Sequence, residues 1–188
     1  MFKKTKGEYG YITKTKKYDI IKMLIYMAIA LAVFVTGLLL NKMSYSNVFT
    51  VVSILFVLPW AKVLVEFIVM FPYKTPEKED YKQVETVLPE DSRLLSDLVI
   101  TSEEKSMGLN FMVIGSGFVH ALVMNDKQNV DYIQNYLRTG VANWSSAYQV
   151  KIHKNKESFL KGIKEVKKKE ISAEERQQVE EYLLSLIL

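Results

Sequence analysis

The chain has 188 residues, no cysteine, two histidines and a formal net charge of +4, a composition that excludes disulfides, cysteine nucleophiles, cysteine-based zinc sites and a multi-histidine metal centre. Apolar residues make up 49% of it, yet the mean hydropathy is only +0.04, as expected when one very apolar stretch is averaged with a water-soluble remainder. The positive balance comes largely from lysines beside that stretch, which favours anionic lipid headgroups over nucleic acid as the charged partner.

Residues 1–19 carry Lys3, Lys4, Lys6, Lys14, Lys16 and Lys17 against Glu8 and Asp19. They read as a basic cytoplasmic tail on a membrane surface, each lysine there contributing about 1 kcal/mol. The run from Tyr9 to Thr13 offers the alternative of an added strand at some sheet edge.

Residues 20–71 read as a transmembrane hairpin with spans at 20–40 and 48–71. The first span has one charge, Lys22, at its start, and at about 1.5 Å per residue it crosses a hydrocarbon core of roughly 30 Å. It is too long for a secretory apolar region, and no small-residue cleavage site follows it. A seven-residue turn, 41–47, leads into the second span, which contains Pro59, Lys62 and Glu66. Pro59 should kink or loosen that helix. The turn carries only Lys42, so the lysine bias places both termini in the cytoplasm and the chain in the inner cell membrane as a multi-pass protein.

Residues 72–188 read as a cytoplasmic α/β (α+β) domain on a four-stranded mixed sheet, in the order α-β-β-β-α-β-α-α. Thr75 followed by Pro76 predicts the N-cap and first position of a helix through Leu88. Strand-like runs 94–101, 109–114 and 118–124, joined by short glycine-containing connectors, predict an antiparallel meander. The connector Gly115-Ser116-Gly117 reads as a hairpin turn and not a phosphate loop, because it opens a strand. A helix over 128–138, capped by Asn125 or Asp126 and stopped by Gly140, leads to a strand at 148–152 that should pair in parallel. A lysine-rich helix over 157–168 follows, and Ser172 with Glu175 caps a last helix. The last helix bears an apolar stripe, Val179, Tyr182, Leu183, Leu186 and Ile187, which packs on the sheet or docks on a partner.

Two groups of residues are candidates for chemistry or assembly. Lys62 and Glu66, four apart on one helix face, form an intramembrane polar pair: an assembly seam between hairpins or with a larger membrane protein, or else a snorkelling lysine with Glu66 near the headgroups. The order helix, three-strand meander, helix, strand is similar to that of the restriction-endonuclease-like fold. That resemblance implies a metal-dependent hydrolase whose acid and acid-x-lysine triplet converge on a divalent cation, with Asp97, Glu103 and Lys105 as the matching residues. The chain departs from the pattern in that the triplet falls in the connector 102–108, while the strand around His120 carries no acid or lysine. His120 itself reads as a core histidine.

The function expected from sequence is therefore a non-catalytic, membrane-anchored interaction or assembly module, with a membrane protein or a second copy as its partner and no cofactor. The alternatives are the hydrolase and an accessory subunit of a transporter or channel, which two spans could serve only as an oligomer.

Overall fold

The computed structural model describes residues 5–102, 104–166 and 169–188. The chain divides into two compact units, Thr13–Pro72, and Met1–Ile12 together with Tyr73–Leu188.

The helical unit is built on α1 (Tyr11–Leu40), α2 (Val48–Leu55) and α3 (Val57–Met70). Two helices, Tyr11–Leu40 and the continuous pair Val48–Met70, are long and apolar enough to cross a membrane, and only 6% and 11% of their most apolar windows are buried within the chain. Their large side chains face outward: among the described residues every exposed large hydrophobic lies between Ile20 and Phe71 except Trp144. The turn falls at 41–47, with Asn47 capping α2 through Thr50 N–H at 3.0 Å. At Phe56, between α2 and α3, the hydrogen-bond ladder is interrupted while the backbone stays helical. The interruption follows from Pro59, whose ring crowds the carbonyl four residues back, at Leu55, and which lacks the N–H that would bond it. Gly37 lets α1 come close to α2, because a Cβ there would lie 2.4 Å from Phe49 Cβ. Lys16 Nζ donates to the main-chain oxygen of Phe71 at 2.7 Å, satisfying a carbonyl just past the end of α3.

The second unit is an α+β fold on a mixed sheet of order β1-β2-β3-β4. Its strands are β1 (Arg93–Thr101), β2 (Ser106–Gly115), β3 (Phe118–Val123) and β4 (Gln149–His153), and its helices are α4 (Lys78–Thr86), α5 (Val130–Ala142), α6 (Lys156–Lys164) and α7 (Ala173–Ser185). β1, β2 and β3 form an antiparallel meander, and β4 joins β3 in parallel after α5. On one face Phe111, Val113, Phe118 and Leu122 meet Val84 of α4 and Phe159 and Ile163 of α6. By strand alternation the opposite face carries Val119 and Ala121. The buried residues Ile133, Leu137 and Val141 of α5, and Val179 and Leu183 of α7, complete the core.

Several boundaries differ from those read in the sequence, each for a physical reason. Thr75 is not an N-cap: α4 starts at Lys78 after Glu77, and the Thr75 hydroxyl is bound to Asp97 instead. Asn129, not Asn125 or Asp126, caps α5, by accepting from Tyr132 N–H at 3.0 Å. Gly140 does not stop α5 but lies inside it, where a Cβ would overlap the Tyr182 hydroxyl. α6 ends at Lys164 because the chain turns back, so that Lys169 N–H reaches Ser116 O at 3.1 Å; Lys167 and Lys168 lie outside the described residues. β2 begins at Ser106, three residues early, shortening the connector to 102–105.

Both ends of the chain close the free edge of β1. Ser96 N–H donates to Gly7 O at 2.8 Å, Leu188 N–H donates to Val99 O at 2.9 Å, and Ile187 bridges Ile100. Tyr11 Oη donates to the Leu188 main-chain oxygen at 2.6 Å, and Lys6 Nζ donates to that of Ile187. Residues 7–12 are thus built into this unit, and α1 starts at Tyr11, within what reads from sequence as a tail. An edge strand with open N–H and C=O groups invites such cover.

Candidate functional site

Asp97 is fully buried in the middle of β1, at a left-handed φ of +57°. It sits where β2, opposite it, shifts register against β3 between Leu109 and Phe111. A left-handed backbone is uncommon for a side chain other than glycine, although Asp tolerates it better than most. Here it turns the carboxylate toward the start of α1. Thr75 Oγ1 donates to Asp97 Oδ2 at 3.3 Å, and the N–H groups of Gly10, Tyr11 and Ile12 face the carboxylate. Oδ1 is buried and makes no well-formed hydrogen bond among the described residues. Burial pushes the carboxyl up to about 6, against the downward pull of those amides and Thr75.

Of the acid and the triplet read from the sequence, Asp97 lies in the middle of β1 and Lys105 in the connector after it. Lys105 is exposed in the connector, with Nζ 5.3 Å from the centroid of the Tyr132 ring. Four residue steps along the strand, roughly 13 Å, separate Asp97 from Thr101 before that connector begins. Glu103 lies outside the described residues. No group of three or more histidine, aspartate or glutamate side chains that could hold a metal occurs among the described residues. Among the described residues, Asp97 is engaged by uncharged donors and Lys105 by a tyrosine ring, so these two do not form the acid and lysine pair that the restriction-endonuclease-like resemblance implies around a divalent cation.

Lys62 and Glu66 fall on α3, Lys62 exposed and Glu66 half-buried, and among the described residues the ion pairs do not include one between them. The C-terminal stripe is consumed within the domain: Val179, Leu183 and Ile187 are buried, and Tyr182 and Leu186 are half-buried. Those three side chains are covered within the α+β unit, where α7 packs against α5 and Ile187 bridges Ile100 of β1.

A polar cluster that the sequence reading did not assemble joins His120 of β3, His153 of β4 and Ser158 of α6. His153 Nε2 lies 3.3 Å from His120 Nδ1, and His153 Nδ1 lies 3.2 Å from Ser158 Oγ. Both rings are buried, and α6 reaches them through Gly162, where a Cβ would come within 2.8 Å of His120 Nδ1 and of His153 Cε1. Burial lowers both imidazoles to about 4, helped by the Lys151 charge and, for His120, by His153. They are neutral at pH 7. Nucleophile, base and orienting group are connected in the order seen in serine hydrolases, but Ser158 Oγ also donates to Asn155 O at 3.1 Å, and so weak a base draws little proton density from a hydroxyl. The network is suited to fixing α6 on the sheet. Its signal in sequence was the period-two placement of both histidines in apolar strands, but their pairing needed the parallel register of β3 and β4.

Comparison with protein-family models, curated proteins and solved structures finds no match to this chain.

Proposed function

We propose that the chain is a membrane-anchored interaction or assembly module, held by two spans, with its α+β domain and both termini on the cytoplasmic side. The observation that carries this reading is the outward apolar surface of residues 20–71, where Leu39, Leu40, Val48, Leu58 and Phe71 are each about two-thirds exposed or more. A water-soluble monomer rarely shows so continuous an apolar surface. A soluble protein's core helix would instead be mostly covered. The orientation rests on the lysines that precede the first span, of which Lys14 and Lys17 are exposed on α1 and suited to anionic headgroups. A non-catalytic role is favoured because the buried acid Asp97 is bound to uncharged donors and the two histidines are held neutral inside the core.

The absence of cysteine makes the test direct. Lys42→Cys in the turn should react with a membrane-impermeant maleimide in intact cells, and Lys154→Cys in the domain only after lysis. The reverse pattern overturns the orientation, and loss of both proteins from carbonate-washed membranes overturns the anchor. Crosslinking in native membranes with the full chain then tests assembly, a specific membrane protein or a second copy being the expected adduct.

A further inference from the structure

We infer that Asp97 is an acid-tightened clamp, a buried carboxylate that fastens both places where the chain leaves the α+β unit and holds them more firmly when protonated. The chain crosses that boundary twice, after Ile12 and before Tyr73. Gly10, Tyr11 and Ile12 present their N–H groups to Asp97 at the first crossing, and Thr75 donates its hydroxyl to Oδ2 at the second. One side chain therefore ties together two segments more than sixty residues apart in sequence.

The clamp is set in a conformation that regular β-structure would not provide. Asp97 takes φ +57° beside an irregularity in β2, and its side chain is removed from water altogether. Once ionised there, it has only uncharged donors, and Oδ1 makes no well-formed hydrogen bond among the described residues. A buried charge without a cation is costly. Protonation removes that cost while leaving the two segments packed where they are.

The charged surroundings do not reverse this. Asp97 is flanked on β1 by Ser96 and Leu98 and faced on β2 by Leu109, Asn110 and Phe111, all uncharged. From the N-terminal segment the titratable neighbour is Tyr9, whose hydroxyl is pushed up by burial first and then by the charges of Asp97, Glu79 and Glu77, so it stays neutral from acid to mildly basic pH. Lys6 is occupied by the main-chain oxygen of Ile187, and none of the ion pairs among the described residues involves Asp97.

The direction follows from linkage. Clamped, the carboxyl titrates at about 6; released into water, it returns to 3.8. The clamped form binds the proton more tightly, so the contribution is fully present below the released value and is lost as pH rises through 6. Between about pH 7.5 and about pH 5 those two values give roughly a ten-fold gain in the clamped population.

Hydrogen–deuterium exchange on the full chain in nanodiscs tests this, read as protection factors corrected for the intrinsic rate at each pH. Segments 5–12 and 73–77 should both gain about ten-fold protection on going from pH 7.5 to 5, and Asp97→Asn should lose that gain in both together. Equal protection at the two pH values in the parent chain, or a gain that survives Asp97→Asn, overturns the clamp. Thr75→Val keeps the test decisive if Asp97→Asn does not fold: removing a donor that lowers the pKa should move the midpoint to higher pH, and an unmoved midpoint overturns the clamp equally.

Discussion

His153 Nε2 lies 3.3 Å from His120 Nδ1 beneath Gly162, so the two imidazoles of the sequence, 33 positions apart, share one hydrogen bond inside the sheet–α6 core. Both are lowered by burial to about 4 from 6.5. The unfolded chain then binds more protons than the folded one between those values. The resulting stability is fully present above about pH 6.5 and is lost as pH falls toward 4, on the order of 3 kcal/mol per ring at the acid limit. Thermal melts from pH 7 to 4 should show this fall, and His153→Gln should flatten it.

Asp97 acts in the opposite sense over nearly the same range, since its raised value makes the folded state the better proton binder between 3.8 and about 6. The parent chain should therefore show a shallower acid decline than the histidines alone would give. Asp97→Asn should steepen that decline. A variant as shallow as the parent would mean that Asp97 titrates in the folded chain much as it does in water.

Gly162→Ala separates packing from helix propensity. Alanine favours a helix interior over glycine by about 1 kcal/mol, but the new methyl would press on His120 Nδ1 and His153 Cε1 at 2.8 Å. Two buried rings tilted against each other give way poorly, and overpacking of this kind costs about 1–3 kcal/mol. Urea denaturation should show a net loss. A stabilised variant would mean that α6 stands further from the sheet.

Leu183→Ala tests whether the C-terminal stripe belongs to the core. Leu183 is fully buried on α7, and truncation of such a leucine costs about 2–5 kcal/mol. The same loss should appear in the protein purified alone, whereas a docking residue would lose stability only in the presence of its partner. Denaturation of the isolated full-length chain distinguishes the two.

The parts of this architecture that were legible from sequence are those set by periodicity and local chemistry. The turn at 41–47 was bounded by the loss of apolar residues, the order of elements in the domain followed from alternation and helical spacing, and the parallel fourth strand followed from a helix between two strands. What was not legible depends on contacts between segments distant in sequence. Thr75 looks like a helix cap until Asp97, 22 residues on, takes its hydroxyl. Gly140 looks like a stop until Tyr182 fills the space a side chain would need. Asp97 looks like a catalytic acid because nothing in its own strand reveals that residues 10–12 return to face it. Local preference is overridden in each case by a partner that the local sequence does not contain.

Glu66→Leu tests the assembly reading at its most specific point. Lys62 and Glu66 share a face of α3, yet no ion pair joins them among the described residues, so neither charge is neutralised by the other within the chain. A charged group at the centre of a bilayer costs roughly 2.5–3.5 kcal/mol on insertion scales, and such groups are retained where they face a partner or a polar cavity. Replacing Glu66 by leucine removes the charge while raising the apolarity of the span, so carbonate-resistant membrane association should be unchanged. If α3 meets a second copy or a larger membrane protein through this face, the slower-migrating species of the detergent-extracted protein on a native gel should be depleted in Glu66→Leu and in Lys62→Leu alike. Unchanged migration in both variants would place the two charges at the headgroups and move the search for a contact surface to another face of the helices.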